Sequence, residues 1–240
     1  MAPSARVADI GTGTGIFLQR LHSISPSINL DGFDISSALF PPPSTLPSQI
    51  KLRQLDIKQP VPKELEGQYD VVHVQMLAAG MLPSEWELVV HNVTLLLKPG
   101  GWLQWAECDF LGVKHLRGRP GATVEMARRM GISFRDALKE RFGHGWNTLP
   151  TDMEAAGLDS VSTDLLSSDR VPETREDMTA NGMQAIFSWA RRMTERGELG
   201  AMTLDDLIII ETQAYKDIRS GCYVRFDVYV TRGRKKWGTD

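Results

Sequence analysis

The sequence predicts an α/β fold built on a largely parallel sheet, and three observations predict it. Val7-Ala8-Asp9-Ile10 is a short apolar run holding one acid; it meets glycines at positions 11, 13 and 15, then the helix-like Ile16-Phe17-Leu18-Gln19-Arg20-Leu21. That is strand, tight turn, helix. Further apolar runs follow at spacings that leave room for crossover helices. Several of these runs end in an acid: Asp34 closes Ile28–Ser36 and Asp56 closes Ile50–Ile57. Acids at the ends of consecutive parallel strands fall on one edge of the sheet, where open α/β sheets bind ligands.

Each element can be justified in order. Gly11, Gly13 and Gly15 let the backbone approach a ligand with no Cβ in the way. Dinucleotide folds use G-x-G-x-x-G for this purpose. Here the third glycine comes one residue early, and Asp9 stands where a phosphate-binding turn has an apolar residue. A carboxylate there would repel a pyrophosphate and suits a ligand carrying an ammonium group, such as S-adenosylmethionine. Asp34 lies 19 positions after Gly15, close to the roughly 20 expected of a ribose-binding acid. Asp56 can accept from an adenine amino group. Tyr69–Gln75 is a continuous apolar strand of the kind buried on both faces. Ser84 and Glu87 read as a capping box for the next helix, Val89, Val93, Leu96 and Leu97 as its buried face, and Lys98-Pro99-Gly100-Gly101 as its stop. Gly101–Glu107 is a fifth strand.

These segments resemble the class I S-adenosylmethionine-dependent methyltransferases, and more narrowly those found around fungal secondary metabolism. The residues that carry the resemblance are Asp9–Gly15, Gly32–Ser36, Leu55-Asp56-Ile57, Tyr69–Gln75 and Leu97–Glu107. It implies a Rossmann-like seven-stranded sheet, mostly parallel with an antiparallel last strand, and helices on both faces. It implies S-adenosylmethionine as cofactor. Asp9, Gly11, Thr12, Gly13 and Gly15 would face its methionine and ribose portions, with Asp9 holding the ammonium directly or through water. Asp34 would accept from the ribose, Asp56 would read the adenine, and Ile35 and Ile57 would be apolar plates on the base. Backbone near Gln75 and Met76 would line the methionine portion. The family normally carries several dozen residues of helix before the first strand, whereas only Met1 to Arg6 precede it here. The expectation is a chain lacking those helices, with a homodimer formed through the surface they leave.

The rest of the chain reads as one continuous domain over 1–240, with a cofactor-binding core at 1–110, cap helices interleaved with a sixth strand at 111–222 and a last strand at 223–232. Met130, Phe134, Ala137 and Leu138 share a helical face. Thr151 and Glu154 mark a short helix, and residues 158–165 a strand. Met183, Ile186, Phe187 and Ala190 show helical spacing. Thr203 and Asp206 cap a helix that stops near Gly221, and Tyr223–Thr231 alternates as a single strand. Met126, Met130, Met178, Met183 and Met193, with Trp146 and Trp189, suggest an apolar small-molecule substrate. His115, on a loop after strand five, is the first candidate for a catalytic base, and Glu107 the second. His73, inside a central strand, reads as a satisfied core histidine.

Composition narrows the function classes. The net charge of -3 over 240 residues gives no reason to expect nucleic acid, and Arg232, Arg234, Lys235 and Lys236 read as a solvated tail. No apolar run is long enough to span a bilayer and no signal peptide is evident, so the expectation is a cytoplasmic protein with no membrane partner. The 2 cysteines form neither a disulfide scaffold nor a metal pattern, and no metal is expected. The reaction expected is methyl transfer to a hydroxyl or amine. The same motifs would also bind the cofactor in a protein that promotes a cyclisation or rearrangement without methyl transfer, or in a methyltransferase-like regulator.

Overall fold

The structure, a computed structural model, describes residues 4–198 and 202–237; Met1-Ala2-Pro3, part of the short lead-in noted above, lie outside the described residues. In chain order the strands and α-helices are β1 (Arg6–Ile10), α1 (Ile16–Ile24), β2 (Asn29–Asp34), β3 (Ile50–Gln54), β4 (Tyr69–Gln75), α2 (Trp86–Leu95), β5 (Leu97–Cys108), β6 (Lys114–Arg117), α3 (Glu125–Ala137), α4 (Lys139–Phe142), α5 (Leu149–Ala155), β7 (Leu158–Ser167), α6 (Arg175–Glu195), α7 (Leu204–Ser220), β8 (Cys222–Arg225) and β9 (Asp227–Lys235). They form two compact units. One holds the residues up to Glu107, Gly143–Asp164 and those from Tyr229 on; the other holds Cys108–Phe142 and Leu165–Val228. Residues 143–164 thus stand with the sheet instead of with the cap helices, and 223–228 stand with the helices.

The sheet has seven strands in the order β3-β2-β1-β4-β5-β9-β7. β1 pairs in parallel with β2 and β4, β2 with β3, and β4 with β5. β9 runs antiparallel to β7: Thr163 bonds Thr231 across the pair, while Leu158 and Val161 lie beside Gly233. β1 and β4 are buried over most of their length, as the apolar sequence of central parallel strands requires. In the parallel register Asp9 stands opposite Gly32 on β2 and His73 on β4, which sets up the site described below. Asp31 on β2 is buried and accepts from Arg6 (2.8 Å), Arg53 (2.8 Å) and the Tyr69 hydroxyl (3.1 Å), so its charge is paired.

The second unit packs α3, α6 and α7 around Met130, Met183, Phe187, Trp189, Leu207 and Ile218. Its two-stranded sheet pairs β6 with β8, antiparallel. The N-cap residue of α3, Val124, offers no side-chain cap, although the Glu125 carboxylate accepts from the Val124 amide (2.9 Å). Asp217 of α7, almost fully buried, supplies one: its carboxylate accepts from the Met126 amide (2.8 Å), the Ala127 amide (3.1 Å) and the Thr123 hydroxyl. A carboxylate at a helix N-terminus satisfies otherwise orphaned donors and meets the positive end of the helix dipole.

Five expectations are corrected. The single strand at Tyr223–Thr231 is broken at Phe226, because β8 pairs with β6 while β9 joins the large sheet. α2 begins after a short 3-10 turn, where the Glu85 carboxylate accepts from the Leu82 amide (2.6 Å) in place of the box expected between Ser84 and Glu87. Lys98-Pro99-Gly100-Gly101 lies within β5 instead of stopping the helix, which ends at Leu95. Met126, Met130, Met183, Met193 and Trp189 belong to the core of the second unit, and Trp146 packs on Tyr229 (5.0 Å). Of the basic C-terminal cluster, Arg234 and Lys235 are built into the fold: Lys235 donates to the Thr94 and Leu97 carbonyls (3.0 and 2.9 Å), and Arg234 lies over the Trp102 and Trp237 rings, while Arg232 and Lys236 are exposed. Among the described residues no helix is long and apolar enough to cross a membrane.

Asp217→Ala should lower unfolding stability by about 1–3 kcal/mol, because three donors lose a buried acceptor. Chemical denaturation would measure it, and an unchanged midpoint would contradict the capping role.

Candidate functional site: the glycine turn and its sheet edge

The turn after β1 follows from its glycines. Gly11, Gly13 and Gly15 all have left-handed backbone, with φ of 72°, 54° and 71°, a region that costs a side-chain-bearing residue roughly 1–2 kcal/mol. The Gly11 and Thr12 amides both donate to the Phe33 carbonyl (2.8 and 3.0 Å), which pins the turn to the end of β2. Gly32 is needed for the same close approach: a Cβ there would fall 2.5 Å from Leu52 Cδ2 and 2.8 Å from Thr12 Oγ1. Among the described residues nothing lies within 4 Å of where a Gly13 Cβ would stand, so this part of the turn is open.

Asp9 is buried and both of its oxygens are engaged. Oδ2 accepts from the Thr12 hydroxyl (2.7 Å) and Oδ1 meets His73 Nδ1 (2.7 Å). With Asp9 ionised, Nδ1 carries the proton and donates it. The His73 ring stacks on Phe17 of α1 at 3.7 Å. Asp9 therefore ties β1, the turn and β4 together. His73 is a core histidine with its partner in place.

Asp34 lies half-buried at the end of β2. It accepts from the Gly13 amide through Oδ2 (2.9 Å) and from the Ser36 amide through Oδ1 (3.1 Å). A carboxylate offers about four lone-pair sites, so two remain for a donor such as a diol. Ile35 beside it is exposed. Asp56 is half-buried just beyond β3 and accepts from the Lys58 amide through Oδ1 (3.0 Å). Ile57 departs from the expected plate on a base: it is buried, and its carbonyl accepts from Asn92 (2.8 Å). Gln75 is exposed at the end of β4, and Met76 follows with a left-handed φ of 56°. The turn, Asp34, Asp56 and the Gln75–Met76 segment all stand at the C-terminal ends of neighbouring strands, as a ligand edge requires.

Glu107 closes β5 with no exposed surface. Oε1 accepts from the Leu77 amide (2.7 Å) and the Trp105 indole (2.9 Å), while Oε2 is buried and accepts no hydrogen bond among the described residues. Burial pushes its carboxyl up to about 7, opposed by these donors and the nearby Ala78 amide. A side chain this enclosed does not present itself to a substrate.

His115 belongs to the second unit. It lies on β6 opposite Val224 instead of on a loop, and it is buried against α3, where a Cβ on Gly131 would fall 2.3 Å from its ring. Burial, with Arg128 nearby, lowers it to about 4. It is a neutral imidazole at physiological pH and too weak a base for the role expected of it. Gly32 was legible only as part of the segment leading to Asp34, while the packing of Leu52 and Leu77 against the turn went unnoticed, because no local pattern marks it.

A mostly parallel seven-stranded sheet with a left-handed glycine turn and a rim acid is the arrangement of the class I, S-adenosylmethionine-dependent methyltransferases, and the 8–103 segment carries the likeness to them. Residues 8–103 match the methyltransferase domain family. A methyltransferase from a Penicillium species is 39% identical over 112 residues, covering 43% of this chain and 39% of that protein. An N-methyltransferase of Aspergillus fumigatus is 33% identical over 152 residues, 62% of this chain and 50% of the relative. A secondary metabolism regulator of Fusarium oxysporum f. sp. lycopersici is 30% identical over 173 residues, 68% and 52% respectively. The chain thus spans about two-fifths to one-half of these relatives. Among solved structures, a sarcosine dimethylglycine methyltransferase homologue from Galdieria sulphuraria shares the fold, with a TM-score of 0.53 at 14% identity over 97% of this chain and 79% of that one.

The Glu107 shift has a consequence for stability. The folded state holds this proton to higher pH than the unfolded chain. Its stabilising contribution is present in full below about 4.5 and is lost as pH rises through about 7. The loss should reach about 3 kcal/mol. Thermal unfolding of the wild type and Glu107→Gln between pH 5 and 8 would show it: the wild type should lose stability relative to the variant. Parallel curves would contradict the assignment.

Proposed function

We propose that the chain binds S-adenosylmethionine along the glycine-turn edge and transfers its methyl group to an amine or hydroxyl of an apolar small metabolite. The observation that carries this reading is the pairing of an open, left-handed Gly13 with a half-buried Asp34 that keeps lone pairs for a ribose. S-adenosylmethionine supplies a methyl group on a positively charged sulfur. Asp34 would accept from the ribose hydroxyls, Asp56 from the adenine amino group, and exposed Ile35 would cover the base. The Gln75–Met76 backbone would line the methionine portion. The acceptor's lone pair forms the new bond to the methyl carbon, the carbon–sulfur bond breaks toward sulfur, and the acceptor releases its proton. The protein's task is alignment at near-attack distance. An amine acceptor is favoured over a hydroxyl, because N-methyltransferases stand among the relatives. The apolar character of the metabolite is drawn from the methionine- and tryptophan-rich composition of the helical segments.

A second reading, a methyltransferase-like regulator, is favoured by the alignment to the Fusarium regulator, which is longer than those to the Penicillium and Aspergillus enzymes. Both readings require the same cofactor edge.

Calorimetric titration with S-adenosylmethionine tests what they share. Wild type should bind, and Asp34→Ala should weaken binding by about tenfold or more, since two charge-assisted acceptor positions are lost. No binding by a folded wild-type chain would overturn the reading. Release of S-adenosylhomocysteine with amine-bearing but not hydroxyl-bearing acceptors would support N-methyl transfer; release with neither would turn the balance toward the regulator.

A further inference from the structure

The end of β4 carries a strained residue. Met76 is left-handed, a conformation unusual for a non-glycine residue, and it persists only where its surroundings enforce it. Two bonds from the end of β5 do so. The Met76 amide donates to the Ala106 carbonyl (3.0 Å), and the next amide, Leu77, donates to Glu107 Oε1 (2.7 Å). The Leu77 side chain in turn lies over the glycine turn: a Cβ on Gly11 would fall 2.5 Å from Leu77 Cδ2. A continuous path of contacts therefore runs from the β5 carboxyl, through the backbone and side chain of Leu77, to the turn.

We infer that Glu107 is a positioning residue of the cofactor edge, holding the Met76–Leu77 segment so that Leu77 sets its spacing from the Gly11 turn; this rests on the cofactor reading proposed above. The carboxyl works as an acceptor and does not meet substrate. Its full burial and its single doubly used oxygen fit an internal tether. Glutamine can keep the Oε1 acceptor, whereas leucine removes it and frees the Leu77 amide. Leu77→Ala breaks the same path one step later, at a half-buried position where loss of the fold is less of a danger.

The test is titration of S-adenosylhomocysteine into wild type, Glu107→Gln, Glu107→Leu, Leu77→Ala and the Glu107→Leu/Leu77→Ala double variant. Circular dichroism confirms the fold of each. Displacing a positioning element should weaken binding by about tenfold to a hundredfold in Glu107→Leu and in Leu77→Ala. Glu107→Gln should stay within about threefold of wild type. The double variant should bind about as weakly as the weaker single variant, because both changes cut one path. Wild-type affinity in folded Leu77→Ala, full additivity in the double variant, or failure of Glu107→Gln to rescue would each overturn the inference while leaving the cofactor reading intact. Absence of binding in the wild type would overturn the cofactor reading, and the inference with it.

Discussion

The structure depends first on one buried carboxylate at the end of β1. Asp9 accepts from the Thr12 hydroxyl on one oxygen and from His73 on the other, so a single charge joins strand, turn and neighbouring strand. The parallel register places these groups opposite each other, and the Phe33 carbonyl completes the arrangement from β2. Three left-handed glycines then form the turn: a Cβ at Gly11 would collide with Leu77 and one at Gly15 would press on Leu52, while Gly13 stands open. A buried carboxylate is costly unless it is hydrogen-bonded, and both oxygens of this one are bonded within the protein. The ligand-facing work falls to Asp34, which makes the same number of bonds but is only half-buried at the sheet edge.

The ends of β4 and β5 form the opposite wall of that edge. Strain at Met76 is contained by bonds to Ala106 and Glu107, and Leu77 carries the constraint across to the glycine turn. Two buried acids therefore serve the edge in different ways. Asp9 is satisfied on both oxygens, whereas Glu107 concentrates its bonds on one and leaves the other in the core. Burial pushes the Glu107 carboxyl up to about 7, while its Oε1 still serves as an acceptor.

Local pattern was legible where it decided the outcome. The glycine turn, Asp34 at the end of β2, the span of β4 and the reciprocal cap between Thr203 and Asp206 all stand where the sequence placed them. Features set by distant partners were not legible. The break at Phe226 depends on two different sheets competing for one segment, and the cap on α3 comes from Asp217, 91 residues away from Met126. His115 looked like a loop histidine because its four-residue strand is defined only by its pairing with β8. The tie from Asp9 to His73 was not legible because the spacing of Asp9 shows nothing of His73. The methionines looked available for substrate because helical spacing does not tell a core face from a binding face. Arg234 and Lys235 looked solvated because the carbonyls and tryptophans that receive them lie far away in the chain.

The most direct test of the central claim is amide hydrogen exchange of the wild-type chain with and without S-adenosylhomocysteine. The account predicts added protection at Gly11–Gly15, at the segment following Asp34 and at Met76–Ala78. Protection absent from these segments, or confined to residues 108–142 and 165–228, would contradict a cofactor edge built on the glycine turn.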